Sequence, residues 1–133
     1  MDEPDERVFT LHEAEKLLPH LIDRLGRLRA LRLSMEKRAP EIARLAERGR
    51  ENAGNAAGSA YLHELLQFEA ELRGFSETGC ILRDLDRGLL DFPSIVDGRK
   101  VFLCWIWGER SIEWWHEINS GFSGRQPLDR EKL

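Results

Sequence analysis

The chain is poor in cysteine and lacks the sequence features of export or membrane insertion. Its 133 residues include two cysteines, Cys80 and Cys104, and no CxxC motif. This usage fits a reducing cytosol, although the two thiols could also form one disulfide. The acidic start MDEPDERVFT has no apolar run, so we expect no signal peptide. No stretch approaches the ~18 consecutive apolar residues of a membrane span. We therefore expect a cytoplasmic protein without membrane contact.

The sequence also lacks the short motifs of several common enzyme classes. It contains no GxSxG, no P-loop and no GxGxxG, so triad hydrolysis and nucleotide binding have no support. These absences leave open whether the protein is an enzyme. A length of 133 residues indicates a single domain that can bury one core.

Positive charge is concentrated in one stretch, although the net charge of the chain is −4. Residues 21–50 hold nine basic and four acidic residues. Such a stretch can attract an acidic protein partner, or it can be a solvated arginine-rich helix face. No aromatic side chain interleaves these arginines, so base stacking has no platform and we do not expect nucleic-acid binding.

A long first helix is predicted from its start signal and its apolar periodicity. Thr10 and Glu13 have the spacing of a capping box. From there apolar residues follow a heptad pattern to about residue 46, which is typical of a helix that packs on a partner helix. Pro19 and Pro40 lie inside this pattern, and each is expected to bend or break the helix.

A second, shorter helix is predicted to pair with the first. Residues 49–59 have the composition of a loop, and an apolar stripe then covers residues 59–78. Residues 10–78 should therefore form an antiparallel helical hairpin. The first helix would span roughly 57 Å and the second roughly 29 Å. About half of the first stripe is then left uncovered, which favours a homodimer that forms through the helices.

The last third of the chain predicts a small sheet. Apolar and β-branched residues with turn signals at Asp97-Gly98 and Gly108-Glu109 indicate three antiparallel strands. We place these strands at about residues 88–95, 99–107 and 111–117, followed by a loop or tail over 118–133. The predicted fold is one α+β domain over residues 1–133, in which a long antiparallel helical hairpin packs with a three-stranded antiparallel β-meander.

The register that these turns imply brings candidate ligands into one row. A two-residue Asp97-Gly98 turn sets Asp91 opposite Cys104, and a two-residue Gly108-Glu109 turn sets Cys104 opposite Glu113. Two carboxylates and a thiol on adjacent strands could bind a divalent metal such as Zn²⁺, Mn²⁺ or Fe²⁺, or the carboxylates could share a proton. The alternative is a lone buried cysteine flanked by solvated acids or by arginine pairs.

The side of the sheet on which His116 lies depends on the second turn. With two turn residues His116 shares the helix-facing side with Trp105, Trp107 and Trp114. With three turn residues the strand slips by one position, and His116 lies on the Cys104 side, diagonal to that residue. Cys104 and His116 would then be plausible ligands of one metal. The alternative is a hydrogen-bonded core histidine.

Three stretches of the chain carry a family resemblance. FTLHEAEKLLPHL, GLLDFPSIVDGRKVFLCWIWGE and WHEINSGFSGRQPL resemble the small prokaryotic family named domain of unknown function 2203. The resemblance covers nearly the whole chain and implies a bacterial, cytosolic origin. It also directs attention to the chemistry-bearing residues inside the matching stretches, which are Asp91, Cys104, Glu109, His116 and Arg125. Within GFSGR, Arg125 could hold an anion or pair with a nearby acid.

Two classes of function follow from these observations. The first is an oligomeric interaction or assembly module, in which the helices form the oligomer and the arginine-rich face meets a partner. The second is a small ligand- or divalent-metal-binding protein, with or without enzymatic activity, whose site lies on the sheet. Its metal-ligand candidates are Asp91, Cys104, Glu113 and His116, and Glu109 and Arg125 are further candidate site residues.

Overall fold

The computed structural model describes residues 7–48 and 56–129, which form two helices and one five-stranded antiparallel sheet. The elements are α1 (Leu11–Arg48), α2 (Ala56–Thr78), β1 (Ile81–Asp84), β2 (Leu89–Val96), β3 (Arg99–Ile106), β4 (Trp114–Glu117), a 3₁₀ turn (Phe122–Gly124) and β5 (Gln126–Pro127). The strands lie side by side in chain order. The α+β class is confirmed, with five strands instead of the three predicted. Of the loop predicted over 49–59, residues 49–55 lie outside the described residues, and residues 56–59 belong instead to α2. Of the loop or tail predicted over 118–133, residues 130–133 lie outside the described residues, and the rest includes the 3₁₀ turn and β5.

The start of α1 is the predicted capping box. The Thr10 hydroxyl accepts the Glu13 N–H at 3.1 Å, and the Glu13 carboxylate accepts the Thr10 N–H at 2.8 Å. The hydrogen bond from the Thr10 backbone lowers the pKa of Glu13. Of the bend or break expected at Pro19 and Pro40, the break does not occur, because α1 continues through both residues. Both prolines are exposed, so water can solvate the carbonyls that lose an N–H partner there.

The core lies between the first half of α1 and the inner face of the sheet. That face of α1 is fully buried and consists of Ala14, Leu18, Leu21, Leu25 and Leu28. It packs against buried residues of β2 and β3, which are Leu90, Phe92, Leu103 and Trp105. The segment before α1 closes one end of this core, because the Phe9 ring meets Phe92 edge-on at 5.3 Å. Burial of these side chains is the main source of stability.

The hairpin between β2 and β3 has the predicted register. Asp97 and Gly98 adopt φ values of 52° and 75°, which is the backbone of a type I′ turn. The ladder then sets Val96 opposite Arg99 and Asp91 opposite Cys104. A positive φ at Asp97 is tolerated because aspartate adopts it more readily than most residues. This hairpin fixes two of the candidate ligands on one face.

The pairing of β3 with β4 differs from the register of a two-residue turn. Cys104 lies opposite Trp114 rather than Glu113, and Phe102 lies opposite His116. This is the slipped register that we considered for a three-residue turn, although residues 107–113 form a longer connection. Trp114 consequently lies on the outer face of the sheet, whereas Trp115 packs against the core. Trp107, which we expected in the core, is 43% exposed.

After the buried face of α1, the two helices continue as a pair that we call the helical arm, residues 29–48 of α1 and 56–73 of α2. Its contacts with the rest of the fold include Phe68, which packs against the core, and Arg29, which lies over Trp107. No side chain within these two ranges is fully buried. The helices are joined by ion pairs, including Arg38 Nε to Glu64 Oε1 at 2.8 Å and Arg27 Nε to Glu71 Oε1 at 3.0 Å. Part of the basic stretch is thus neutralised within the chain. None of the described helices is long and apolar enough to cross a bilayer.

Candidate metal centre

Three potential ligands meet on the outer face of the sheet, each supplied by a different strand. Asp91 in β2 and Cys104 in β3 are direct cross-strand partners. His116 in β4 is two residues from Trp114, the partner of Cys104, so it shares that face and lies diagonal to Cys104. The slipped β3–β4 register is therefore what brings the histidine to the thiol and the carboxylate. We call Asp91, Cys104 and His116 the three-ligand cluster.

The atoms of the three-ligand cluster are close and shielded from water. One ligand-type atom from each residue lies within 4.8 Å of the other two. All three residues are buried, with exposed fractions of 2% for Asp91, 0% for Cys104 and 2% for His116. A tetrahedral zinc ion holds its donor atoms roughly 3.5 Å apart. Small side-chain rotations would therefore bring the three donors to bonding distance of one ion.

The hydrogen bonds of His116 orient its ring towards Asp91. Nδ1 lies 2.8 Å from the backbone carbonyl oxygen of Glu117, which fixes this edge of the ring. Nε2 lies 3.0 Å from each carboxylate oxygen of Asp91. A ring held through Nδ1 by a carbonyl, with Nε2 aimed at other donors, is the usual arrangement of a metal-ligating histidine.

The Cys104 thiol is protonated in this environment. Burial, followed by the negative charge of Asp91, raises the pKa of Cys104 to about 12. The thiol also hydrogen-bonds to Asp91. Cys80 is also a buried free thiol, and burial raises its pKa too, but its side chain belongs to the core between helices and sheet. Only Cys104 therefore joins the cluster.

Arg83 is a residue of the candidate site that the sequence patterns did not reveal. It lies in β1, where its Nε donates to Asp91 Oδ2 at 2.9 Å and its guanidinium sits 5.0 Å from the centre of the Phe102 ring. The Asp91 carboxylate thus contacts Arg83, His116 and the Cys104 thiol at the same time. The signal that could have revealed Arg83 is the short apolar run CIL directly before it, which is the start of a strand.

Glu109 and Arg125 form a second polar contact beside the cluster. Arg125 Nη2 binds the two Glu109 carboxylate oxygens at 2.7 and 2.9 Å and approaches the Cys104 carbonyl at 3.4 Å. The Glu109 carboxylate also accepts the Ile106 N–H at 2.8 Å. Arg125 therefore pairs with an acid, and the pair fastens the segment 118–125, which we call the strap, beside the cluster.

Aromatic contacts hold the strap against the outer face. The Arg125 guanidinium lies 4.9 Å from the Trp114 ring centre and 4.8 Å from that of Phe122. The Phe122 ring also contacts the guanidinium of Arg87, a residue that follows β1, at 4.3 Å from the ring centre. Cation–π contacts of this kind strengthen when they are shielded from water. The strap therefore covers part of the outer face of the sheet beside Trp114.

The structure brings three of the four predicted ligands together and leaves the fourth apart. Glu113 is exposed, precedes β4 and accepts a hydrogen bond from Ser111 at 3.2 Å. Its displacement follows from the one-residue slip of β4, which puts Trp114 in the row where Glu113 was expected. The cluster as observed is one oxygen, one sulfur and one nitrogen donor.

Comparisons with known proteins agree with the resemblance found in the sequence. No curated protein and no solved structure matches the chain. One protein family does match, and its description reads "Uncharacterized conserved protein (DUF2203)". The match covers residues 7–128 and so includes both helices, all five strands, the three-ligand cluster and the strap. The chain belongs to the DUF2203 family.

Proposed function

We propose that this protein binds a divalent transition-metal ion, best fitted by zinc, through Asp91, Cys104 and His116. The observation that carries the proposal is the meeting of three buried donors of different chemistry within 4.8 Å. Each buried polar group must recover the hydration that it loses, and without an ion the three groups do so by hydrogen bonds to one another, to Arg83 and to the Glu117 carbonyl. A bound ion would replace the hydrogen bonds among the three ligands by direct bonds to all of them.

The donor set selects among metals. Thiolate and imidazole ligands favour zinc over magnesium or calcium, which prefer oxygen donors. Iron(II) and manganese(II) bind carboxylate and imidazole well, but they bind a thiolate less strongly than zinc does. With three protein ligands, a fourth position remains for water or another small ligand. Binding must also release the Cys104 proton, so the affinity should rise with pH.

Binding of zinc to purified protein tests this proposal. Protein without a polyhistidine tag, stripped with a chelator and dialysed, is titrated with Zn²⁺ against a competing fluorescent chelator. We expect one ion per chain, and the variant His116→Gln should weaken binding about a hundredfold because it removes a nitrogen ligand. His12→Gln is the matched control, since His12 is exposed on α1. Equal zinc binding by His116→Gln and the wild type would contradict the assignment.

We propose, as a second function, that the helical arm makes the protein an oligomeric module, as a homodimer. Leu33, Leu62 and Leu66 of the arm are 54%, 56% and 55% exposed. Most helical stability in proteins comes from packing of an apolar face, and no side chain of the arm is fully buried. A second copy of the chain can cover the arm by the two-fold self-association that is commonest among oligomers.

The two free thiols support the predicted cytoplasmic location.

Charge placed on the outer side of α2 should disrupt the dimer. Leu62 and Leu66 lie one helical turn apart, so Leu62→Lys with Leu66→Lys puts two charges into the proposed interface. We expect native mass spectrometry to show a dimer for the wild type and mostly monomer for this variant, with dimerisation weakened about tenfold or more. Ile95→Lys with Ile118→Lys is the control, because these exposed residues lie outside the arm. A wild-type mass of one chain at micromolar concentration would refute the homodimer.

A further inference from the structure

Arg83 has an unusual position for a residue beside a metal centre. Its Nε lies 2.9 Å from Asp91 Oδ2, and no more than 3% of the Asp91 side chain is exposed. His116 Nε2 contacts the same oxygen at 3.0 Å. An arginine in this place neutralises the buried carboxylate that a metal would need. From this geometry we infer that Arg83 is a built-in counter-cation that competes with the metal for Asp91 and so lowers the metal affinity of the site.

The charges of the cluster explain the competition. A divalent ion is balanced by the Asp91 carboxylate and the Cys104 thiolate, with His116 as a neutral ligand. Arg83 would then be a surplus positive charge next to the ion, and like charges at this separation repel, although the solvent around Arg83 weakens the repulsion. Without the ion, Arg83 compensates Asp91, because an unpaired buried carboxylate is costly. Metal and arginine therefore exclude each other electrostatically.

The surroundings of Arg83 allow it to leave. Its side chain is 43% exposed, whereas its partner carboxylate is buried. The guanidinium already lies above Phe102, 5.0 Å from the ring centre, at the edge of the outer face. Rotation towards solvent would release Asp91 without moving the core. The inference rests on the proposed metal-binding function. It adds that Arg83 keeps the metal affinity of the site lower than Asp91, Cys104 and His116 would give without it.

The variant Arg83→Met tests the inference, since methionine keeps much of the aliphatic stem and removes the charge. Zinc dissociation constants are measured by chelator competition for the wild type, Arg83→Met, Arg83→Lys and Arg99→Met. Arg99 is the matched control because it pairs with Glu117 at 2.8 Å on the same sheet. We expect Arg83→Met to bind zinc roughly tenfold more tightly than the wild type. Arg83→Lys, which keeps the charge, and Arg99→Met should stay within about threefold of the wild type.

The outcomes separate this inference from the proposed function. Zinc binding by Arg83→Met alone, with none by the wild type, would also support the inference, as the extreme case of competition. Equal or weaker binding by Arg83→Met, with normal binding by the wild type, overturns the inference and leaves the metal site standing. If no variant binds zinc, both fail. Thermal unfolding of the zinc-free variants shows whether each one is folded. If Arg83→Met does not fold, Arg83→Gln, which also removes the charge, is measured in its place with the same expected result.

Discussion

Replacement of Asp91 by asparagine is expected to abolish zinc binding and to destabilise the zinc-free protein. The Asp91 carboxylate contacts both other residues of the three-ligand cluster, His116 and Cys104. It also pairs with Arg83. Asparagine has nearly the same shape but no charge. It leaves Arg83 without its anion and presents an amide to His116, so the free energy of unfolding should fall by about 3 kcal/mol.

Two measurements on Asp91→Asn check these expectations. Chelator competition should show zinc affinity lowered about a hundredfold or more, because a charged ligand is lost. Urea unfolding of the zinc-free protein gives the change in stability. Glu113→Gln is the control, since Glu113 is exposed and hydrogen-bonds to Ser111. If Asp91→Asn bound zinc as the wild type does, Asp91 would not be a ligand, and a loss of stability alone would indicate a purely structural network.

Alkaline pH is expected to destabilise the zinc-free protein steeply. The pKa of Cys104 rises from an ordinary value of 9.0 to about 12 in the folded protein. Between these values the unfolded chain releases the thiol proton and the folded chain keeps it, so ionisation favours unfolding. The stabilisation is present below pH 9 and is lost as the pH rises towards 12. Each such thiol lowers the free energy of unfolding by about 1.4 kcal/mol per pH unit in this range.

The variant Cys104→Ala isolates the contribution of this thiol. Cys80, whose pKa burial also raises, remains in the variant and provides the internal comparison. Urea unfolding at several pH values between 8 and 11, in the presence of a chelator, should give a slope against pH that is shallower for Cys104→Ala by about 1.4 kcal/mol per pH unit. The slope is compared rather than the stability at one pH, because removal of the sulfur leaves a small cavity. Identical slopes would show that Cys104 titrates normally in the folded state.

Local signals predicted much of the fold. The Thr10 and Glu13 spacing located the start of α1, and the Asp97-Gly98 pair located the turn that sets Asp91 opposite Cys104. Both are short-range effects, in which a side chain or a left-handed backbone decides the structure of its neighbours. Two candidate ligands were therefore placed correctly by sequence reasoning.

The remaining part of the site depends on long-range contacts that a sequence pattern does not encode. The register of β4 could not be derived from Gly108-Glu109, because the turn between Ile106 and Glu109 is followed by further connecting residues before β4 begins at Trp114. This slip decided that His116 joins the cluster and Glu113 does not. Strand β1 has four residues and β5 has two, too few for an alternating pattern. Arg83 was missed because it lies in β1.

Proline positions show the same limit for α1. Pro19 and Pro40 each remove a backbone donor, which is a local penalty. Burial of Leu21, Leu25 and Leu28 against the sheet favours an unbroken helix after Pro19. Tertiary packing therefore outweighs the local preference there. Around Pro40 the described arm contains no buried side chain, so packing within this chain does not provide the same explanation.

Anomalous diffraction from crystals grown with zinc tests the metal centre most directly. Data collected on both sides of the zinc absorption edge show where the ion is and which atoms surround it. We predict one anomalous peak per chain between β2, β3 and β4, about 2.3 Å from Cys104 Sγ and about 2.0 Å from His116 Nε2 and an Asp91 carboxylate oxygen. A fully ordered, hydrogen-bonded cluster with no zinc peak at this position would contradict the proposed function.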